Sequence, residues 1–356
     1  MSITPLQGEV GPIPRQDAPA ASAKRLALVA IKALVSIGLI AVLATRLDYA
    51  RVLSYWHALD GIWILGALGI LFLEMCLLAG VRLKLMLASV GARRPLTTTA
   101  EIALCGFFFE QVTIGFVGGD AIRLWLLRRT AVPFGRAIQA LMLDRACGFA
   151  SLVLLSLLGV QALLPLVEES VRDVIVVTLG GFIAAGLLGV AVIVVLTKVL
   201  PPSRLSAYWQ RFGLSEHPIS MVALATVFTL AVVTHLLNVL VFWMLGQSLG
   251  LPITLQQWFI VAPTVLLVSM LPISIGGWGV REGAMVVALH GFGISAEDAL
   301  LPSVLFGLCA VAATLPGGIL WIINKDAVAE NSGRACPAKV GAGFAKRTCS
   351  KKDRAG

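Results

Sequence analysis

Arg123 and Arg281 occupy the same local pattern: Gly118-Gly119-Asp120-Ala121-Ile122-Arg123 and Gly276-Gly277-Trp278-Gly279-Val280-Arg281. Each is a glycine pair, three residues and an arginine, directly after a hydrophobic run. A guanidinium offers a planar fork of N–H donors that suits a phosphate or a carboxylate. Glycine amides beside it, opening a half-helix, would add a nest of backbone donors for the same anion. Gly118, Gly119, Arg123, Gly276, Gly277 and Arg281 are therefore candidates for binding an anionic head group. The plainer reading of each arginine is a hairpin cap, a local ion pair or a side chain that snorkels to the surface.

Carboxylates accompany these arginines. Asp120 and Glu282 could orient the guanidinium groups, carry protons, or simply form local pairs. Glu110 follows Phe107, Phe108 and Phe109; so apolar a setting favours either a proton on the carboxyl or a hydrogen bond to a neighbour. Glu74, inside another apolar stretch, raises the same choice. Asp144 and Arg145 are adjacent, so on a helix they point about 100° apart and need different partners. They read as supporting groups for the first glycine motif.

Metal chemistry finds no support. Cys76, Cys105, Cys147 and Cys309 lie in apolar segments, Cys336 and Cys349 near the C-terminus, and no pair has zinc-ligand spacing. The four histidines are scattered, and no Asp-x-x-Asp pair offers clustered carboxylates to a divalent ion. There is no Walker loop, no dinucleotide fingerprint in a soluble α/β unit, no HExxH and no nucleophile elbow. No metal or cofactor is expected, and an enzyme is the less favoured class.

The elements that hold these residues belong to a membrane. The chain is 58% hydrophobic and 13% charged, with a mean hydropathy of +0.92; a soluble domain is about half apolar and about a quarter charged. The net charge of +9 sits on lysines and arginines that flank apolar segments, which fits the positive-inside rule and anionic lipid better than nucleic acid. Spans are expected at about 26–45, 61–81, 137–164, 174–196, 221–248 and 300–323. Two further apolar regions, 100–119 and 257–277, close on the glycine motifs, the second with a short apolar piece at 283–291 behind it.

Charge placement decides how those two regions sit. If 100–119 crossed the membrane, Arg123, Arg128, Arg129 and Arg136 would lie outside and the acidic loop Glu168-Glu169 inside, against the positive-inside rule. If each motif region enters and leaves on one side, nearly every basic loop falls inside. The expected fold is thus an all-α integral membrane protein with about six transmembrane helices and two re-entrant helical hairpins in inverted repeats. Eight transmembrane helices is the alternative. Residues 1–24 read as a disordered cytosolic leader, 25–325 as the membrane domain, and 326–356 as a basic cytosolic tail. The loop 201–218 reads as a short interfacial helix. Leu315-Pro316-Gly317-Gly318 reads as a close-packing or hinge element.

Phe108 through Arg129, FFEQVTIGFVGGDAIRLWLLRR, resembles the first signature of the lysylphosphatidylglycerol synthase transmembrane, or flippase-like, family. Leu143-Asp144-Arg145 with Gly148 resembles the helix that follows it. Leu271 through Gly283, LPISIGGWGVREG, resembles the second signature, and Leu315-Pro316-Gly317-Gly318 the last-helix element. The likeness spans about residues 25–325, and its one departure is Thr113-Ile114, where the first signature often carries a proline. The family includes the flippase half of the multiple peptide resistance factor, which moves aminoacylated phosphatidylglycerol between leaflets while a separate soluble domain makes the lipid. Some stand-alone members are associated with hopanoid or glycolipid pathways.

The resemblance implies a lipid-handling membrane part rather than a complete synthase. The expected function is translocation of an anionic or zwitterionic phospholipid or aminolipid between leaflets of a bacterial inner membrane, with both termini cytoplasmic. The alternative is a membrane-embedded lipid-modifying transferase, or an accessory subunit of such a pathway. The partner class is a membrane lipid, an anionic phospholipid or an aminoacyl-, glyco- or hopanoid-type lipid; the lipid itself and the oligomeric state are left open.

Overall fold

The computed structural model describes residues 59–113, 115–166, 168–199, 219–271, 274 and 276–334. The expected first span, the leader, the loop 201–218 and residues 335–356 lie outside the described residues. All regular structure among the described residues is helical, as the apolar periodicity requires.

We number the helices in chain order. Helix α1 runs Gly61–Ser89 and contains a π-helical turn, Glu74–Leu78. It is followed by α2 (Leu96–Val112), α3 (Gly115–Arg129), α4 (Phe134–Leu163) and α5 (Glu169–Val199). The second half holds α6 (Met221–Ser248), α7 (Leu255–Ser269), α8 (Val280–His290) and α9 (Ala296–Arg334). Local sequence sets several starts. Asp60 accepts from the Ile62 amide, Ser220 accepts from Ala223, and Thr254 with Gln257 forms a capping box. Helix α9 continues to Arg334, past the boundary at 325 drawn from the sequence.

Two helix lengths alternate. Helices α1, α4, α6 and the 296–323 part of α9 have 28 to 30 residues and are apolar enough to cross a membrane. Helices α2, α3, α7 and α8 have 17, 15, 15 and 11 residues, so none exceeds about 26 Å, short of the ~30 Å hydrocarbon core. With the 31-residue α5 set apart between them, α1–α4 and α6–α9 each read long, short, short, long.

Helices α2 and α3 form an antiparallel hairpin. Gly106 lies against Arg123 and Gly119 against Glu110, pairs placed almost symmetrically about the break at Thr113. The ends of the hairpin also meet: Arg94 donates to the Thr130 carbonyl, and Arg136 Nη1 to the Gly91 carbonyl at 3.2 Å. The region leaves where it entered, as charge placement predicts, and the eight-span alternative does not hold for it. One detail differs. The break falls at Thr113, whose backbone is extended, rather than at Gly118-Gly119. Thr113 Oγ1 folds back onto the Phe109 carbonyl, and the glycines lie inside α3.

The two halves are inverted. The Asp60 amide, at the start of α1, donates to the Ser248 carbonyl, at the end of α6, at 3.3 Å. Helices α1 and α6 pack together, so they run antiparallel, and the short helices that follow each begin at opposite ends of the bundle. Helix contacts come in matching pairs: α9 on α2 and α4 on α7, α9 on α1 and α4 on α6, α1 on α4 and α6 on α9. Glycines permit the closest of them. A side chain at Gly317 of α9 would strike the Leu104 carbonyl carbon at 2.6 Å, and one at Gly159 of α4 the Ile260 backbone at 3.0 Å. The Leu315-Pro316-Gly317-Gly318 element is thus a close-packing site.

Large apolar side chains such as Ile62, Leu158, Val177, Met221 and Ile322 are exposed, while Glu74, Arg82, Arg123, Arg281 and Glu282 are buried. Charge inside and hydrocarbon outside is the arrangement of a protein solvated by lipid.

Candidate functional site

The tips of the two short-helix pairs meet. A side chain at Gly276, in the turn before α8, would lie 3.3 Å from the Gln111 carbonyl at the end of α2. Beside this contact is a cavity of about 220 Å³. It is lined by Glu74 and Arg82 of α1, Glu110 and Gln111 of α2, Arg145 and Gly148 of α4, and Thr234, His235 and Asn238 of α6. From the second half it is lined by Ser269, Ser274, Gly276, Gly277, Arg281 and Phe306 with the apolar Leu266, Met270 and Leu271, and from the first half also by Met75, Phe107, Phe149 and Leu152. Pockets that take drug-sized ligands run to roughly 300–1,000 Å³, so this space is sized for a smaller group.

Arg281 is the most buried of the three arginines on that wall. It is 4% exposed. Its Nη2 donates to Glu282 Oε1 at 2.7 Å and its Nε to Ser303 Oγ at 3.1 Å. Trp278 and Phe306 lie 5.1 and 5.3 Å from its guanidinium carbon. Glu282 is itself fixed, accepting from the Gly279 amide at 2.5 Å and from Ser303 Oγ at 3.0 Å. This is one half of a capping box: the Glu282 carboxylate caps the Gly279 amide at the start of α8 and also holds the arginine, while glycine has no side chain to return the bond. Arg281 Nη1 has no acceptor among the described residues, so its two N–H groups are open to an anion.

The two glycine motifs take different shapes. Gly276, Gly277 and Gly279 have φ of 57°, 77° and 84°, left-handed backbone that other residues rarely adopt. They form the turn that delivers Arg281, and Gly276 and Gly277 face the cavity. Gly118 and Gly119 are helical and do not line it. A side chain at Gly119 would lie 2.6 Å from the Gly106 carbonyl oxygen, so this pair lets α2 and α3 approach. Its amides are spent within the helix, and the expected anion nest is absent there.

Arg123 of the first hairpin and Arg145 of α4 exchange roles with respect to expectation. Arg123 lies 4.5 Å over the Phe107 ring, donates to Asp120 at 2.8 Å, and is 3.6 Å from Glu110. It is not among the cavity-lining residues. Arg145, read from sequence as a support, does line the cavity. It grips Asp120 bidentately, with Nε and Nη2 each at 2.8 Å, and reaches Glu110 at 3.3 Å. Asp144 turns the other way and accepts from Arg82 Nε at 3.0 Å, as two neighbours on a helix must. Asp120 joins two arginines behind the wall, and Glu110 stands on it.

Three further residues emerge only in three dimensions. Asn238 Nδ2 donates to both oxygens of Glu74 at 3.1 Å. His235 Nε2 lies 3.1 Å from the Gly148 carbonyl. Polar residues three apart in the otherwise apolar α6 were the available sequence signal. Gly307 on α9 makes room for Arg281: a side chain there would come within 2.5 Å of its Nη2. Among the described residues no cluster of three metal-ligating side chains occurs.

Fold and site together define an all-α membrane protein whose polar interior lies between two inverted hairpins. The chain belongs to the lysylphosphatidylglycerol synthase TM region family, whose model matches residues 29–318. Membership ties it to lipid modification or transport. No curated protein matches the chain.

Proposed function

We propose that the protein moves a lipid with a phosphate-bearing head group between the leaflets of a bacterial inner membrane. The observation that carries this reading is the cavity between hairpin tips that start from opposite ends of the bundle, with Arg145 and Arg281 on its wall. Inverted repeats meeting around a midplane site suit alternating access. The head group enters, takes the open Nη1 donors of Arg281, and trails its chains through the lipid. The first hairpin opens from the cytosolic side and the second from the outside, with both termini cytoplasmic.

Purified protein in proteoliposomes, with fluorescent phospholipids of several head groups, tests this. Wild type is expected to move at least one of them without changing its mass. Arg281→Ala removes a charge-assisted contact and is expected to slow the movement about tenfold or more. A normal rate in a correctly inserted Arg281→Ala protein would overturn the head-group role, and a chemically altered lipid would favour a transferase.

A further inference from the structure

Among the described residues, charge at depth is balanced cluster by cluster, with one exception. Asp144 faces Arg82, Glu282 faces Arg281, and Glu110 with Asp120 face Arg123 and Arg145. Glu74 is 6% exposed and has no cation within ion-pair distance among the described residues. Both its oxygens accept from a single donor, the Asn238 amide nitrogen. An ionised carboxylate withdrawn from water with no counter-charge is strongly disfavoured, whereas a protonated one is tolerated.

The surroundings of Glu74 suit proton transfer. It opens the π-helical turn of α1, a local distortion that often marks functional positions. Across the same cavity, His235 Nε2 faces a carbonyl that can only accept, so Nε2 carries the proton and Nδ1 is a bare acceptor. His235 is 9% exposed, and Nδ1 has no partner among the described residues. Ser274 Oγ, 4% exposed on the facing turn, is likewise unpartnered. The other charged groups on the cavity are Arg82 from the same helix, Glu110 from α2, Arg145 from α4 and Arg281 from α8. Each of them already has an opposite charge.

We propose that Glu74 is a proton-binding site that couples lipid movement to a transmembrane proton gradient, with His235 as the neighbouring acceptor. This rests on the lipid-moving reading above. With the cavity closed, the carboxyl holds one proton and the site is neutral. When the cavity opens to water on the alkaline side, the O–H bond breaks, the proton passes to water directly or through His235 Nδ1, and a carboxylate remains. Rebinding a proton on the acidic side restores the neutral form. One charge thus enters and leaves the cavity per cycle, with no other reactant.

Two measurements separate this from the lipid-moving reading. Infrared difference spectra between acidic and alkaline buffer are expected to show a carboxylic-acid band that disappears in Glu74→Gln, which keeps the shape and the neutral charge; survival of every such band in that variant overturns the proton site, whatever the protein transports. In proteoliposomes under a pH gradient, wild type is expected to accumulate labelled lipid in one leaflet, and a protonophore to abolish the bias. Glu74→Gln is expected to equilibrate the lipid with no bias. Equal bias in the two proteins, or none in a wild type that does move lipid, overturns the coupling. If wild type moves no lipid, the transport reading fails and with it the coupling, while the infrared band alone decides whether Glu74 binds the proton.

Discussion

At the scale of single residues, Arg281 depends on what surrounds it more than on its own charge. Glu282 answers two demands with one carboxylate, capping α8 through the Gly279 amide and balancing Arg281. Glu282→Gln keeps the length of the side chain and leaves a buried guanidinium without its counter-charge. Removing one partner of such a pair costs about 3–5 kcal/mol, so the variant is expected to melt at a clearly lower temperature in detergent than wild type. Gly307→Ala tests position rather than charge, because its methyl group would crowd Arg281 Nη2 and the Trp278 ring. It is expected to reduce lipid movement while Arg281 remains present; an unchanged rate would show that the guanidinium is not held where movement needs it. These roles were partly legible in the sequence. Arg281 and Glu282 could be singled out because a charge next to glycines in an apolar run needs a reason. The exchange of Arg123 for Arg145 could not, since it depends on contacts across 25 and 35 residues. Nor could the Glu74–Asn238 pair, 164 residues apart.

At the scale of elements, one six-residue pattern produces two different structures. Local sequence shows that both glycine pairs resist a plain transmembrane helix, but not which property of glycine is used. Around Gly276-Gly277 it is the left-handed backbone; around Gly118-Gly119 it is the missing side chain, which lets a helix pair close. Substitution separates the two. Gly277→Ala forces an L-residue into φ near 77° at a cost of about 1–2 kcal/mol, felt in the turn that presents Arg281. Gly119→Ala drives a methyl group into the Gly106 carbonyl, an overpacking of about 1–3 kcal/mol felt between α2 and α3. Thermal unfolding is expected to record both losses. A lipid-movement assay at a temperature where both proteins are folded is expected to find the Gly277 variant impaired more, because only its strain lies on the cavity wall.

At the scale of the whole molecule, the number of crossings follows from where helix ends meet. In an eight-span arrangement, the residues before α2 and those after the break at Thr113 would face opposite sides of the membrane. Here the ends of the first hairpin are tied together by Arg94 with Thr130 and Arg136 with Gly91, so both lie at one end of the bundle. The Asp60–Ser248 contact places the start of the second short-helix pair at the other end. Arg93, Ala131, Pro252 and His290 are all exposed near these ends. Single cysteines at the four positions, in a cysteine-free background, are expected to react with a membrane-impermeant maleimide in two pairs. Residues 93 and 131 should react from one face of the membrane, in inside-out vesicles if the positive-inside rule governs, and residues 252 and 290 from the opposite face in intact cells. Labelling of 93 and 131 from opposite faces would make 100–119 a crossing, remove the inversion of the halves, and leave the two arginine-bearing tips with no shared site to serve.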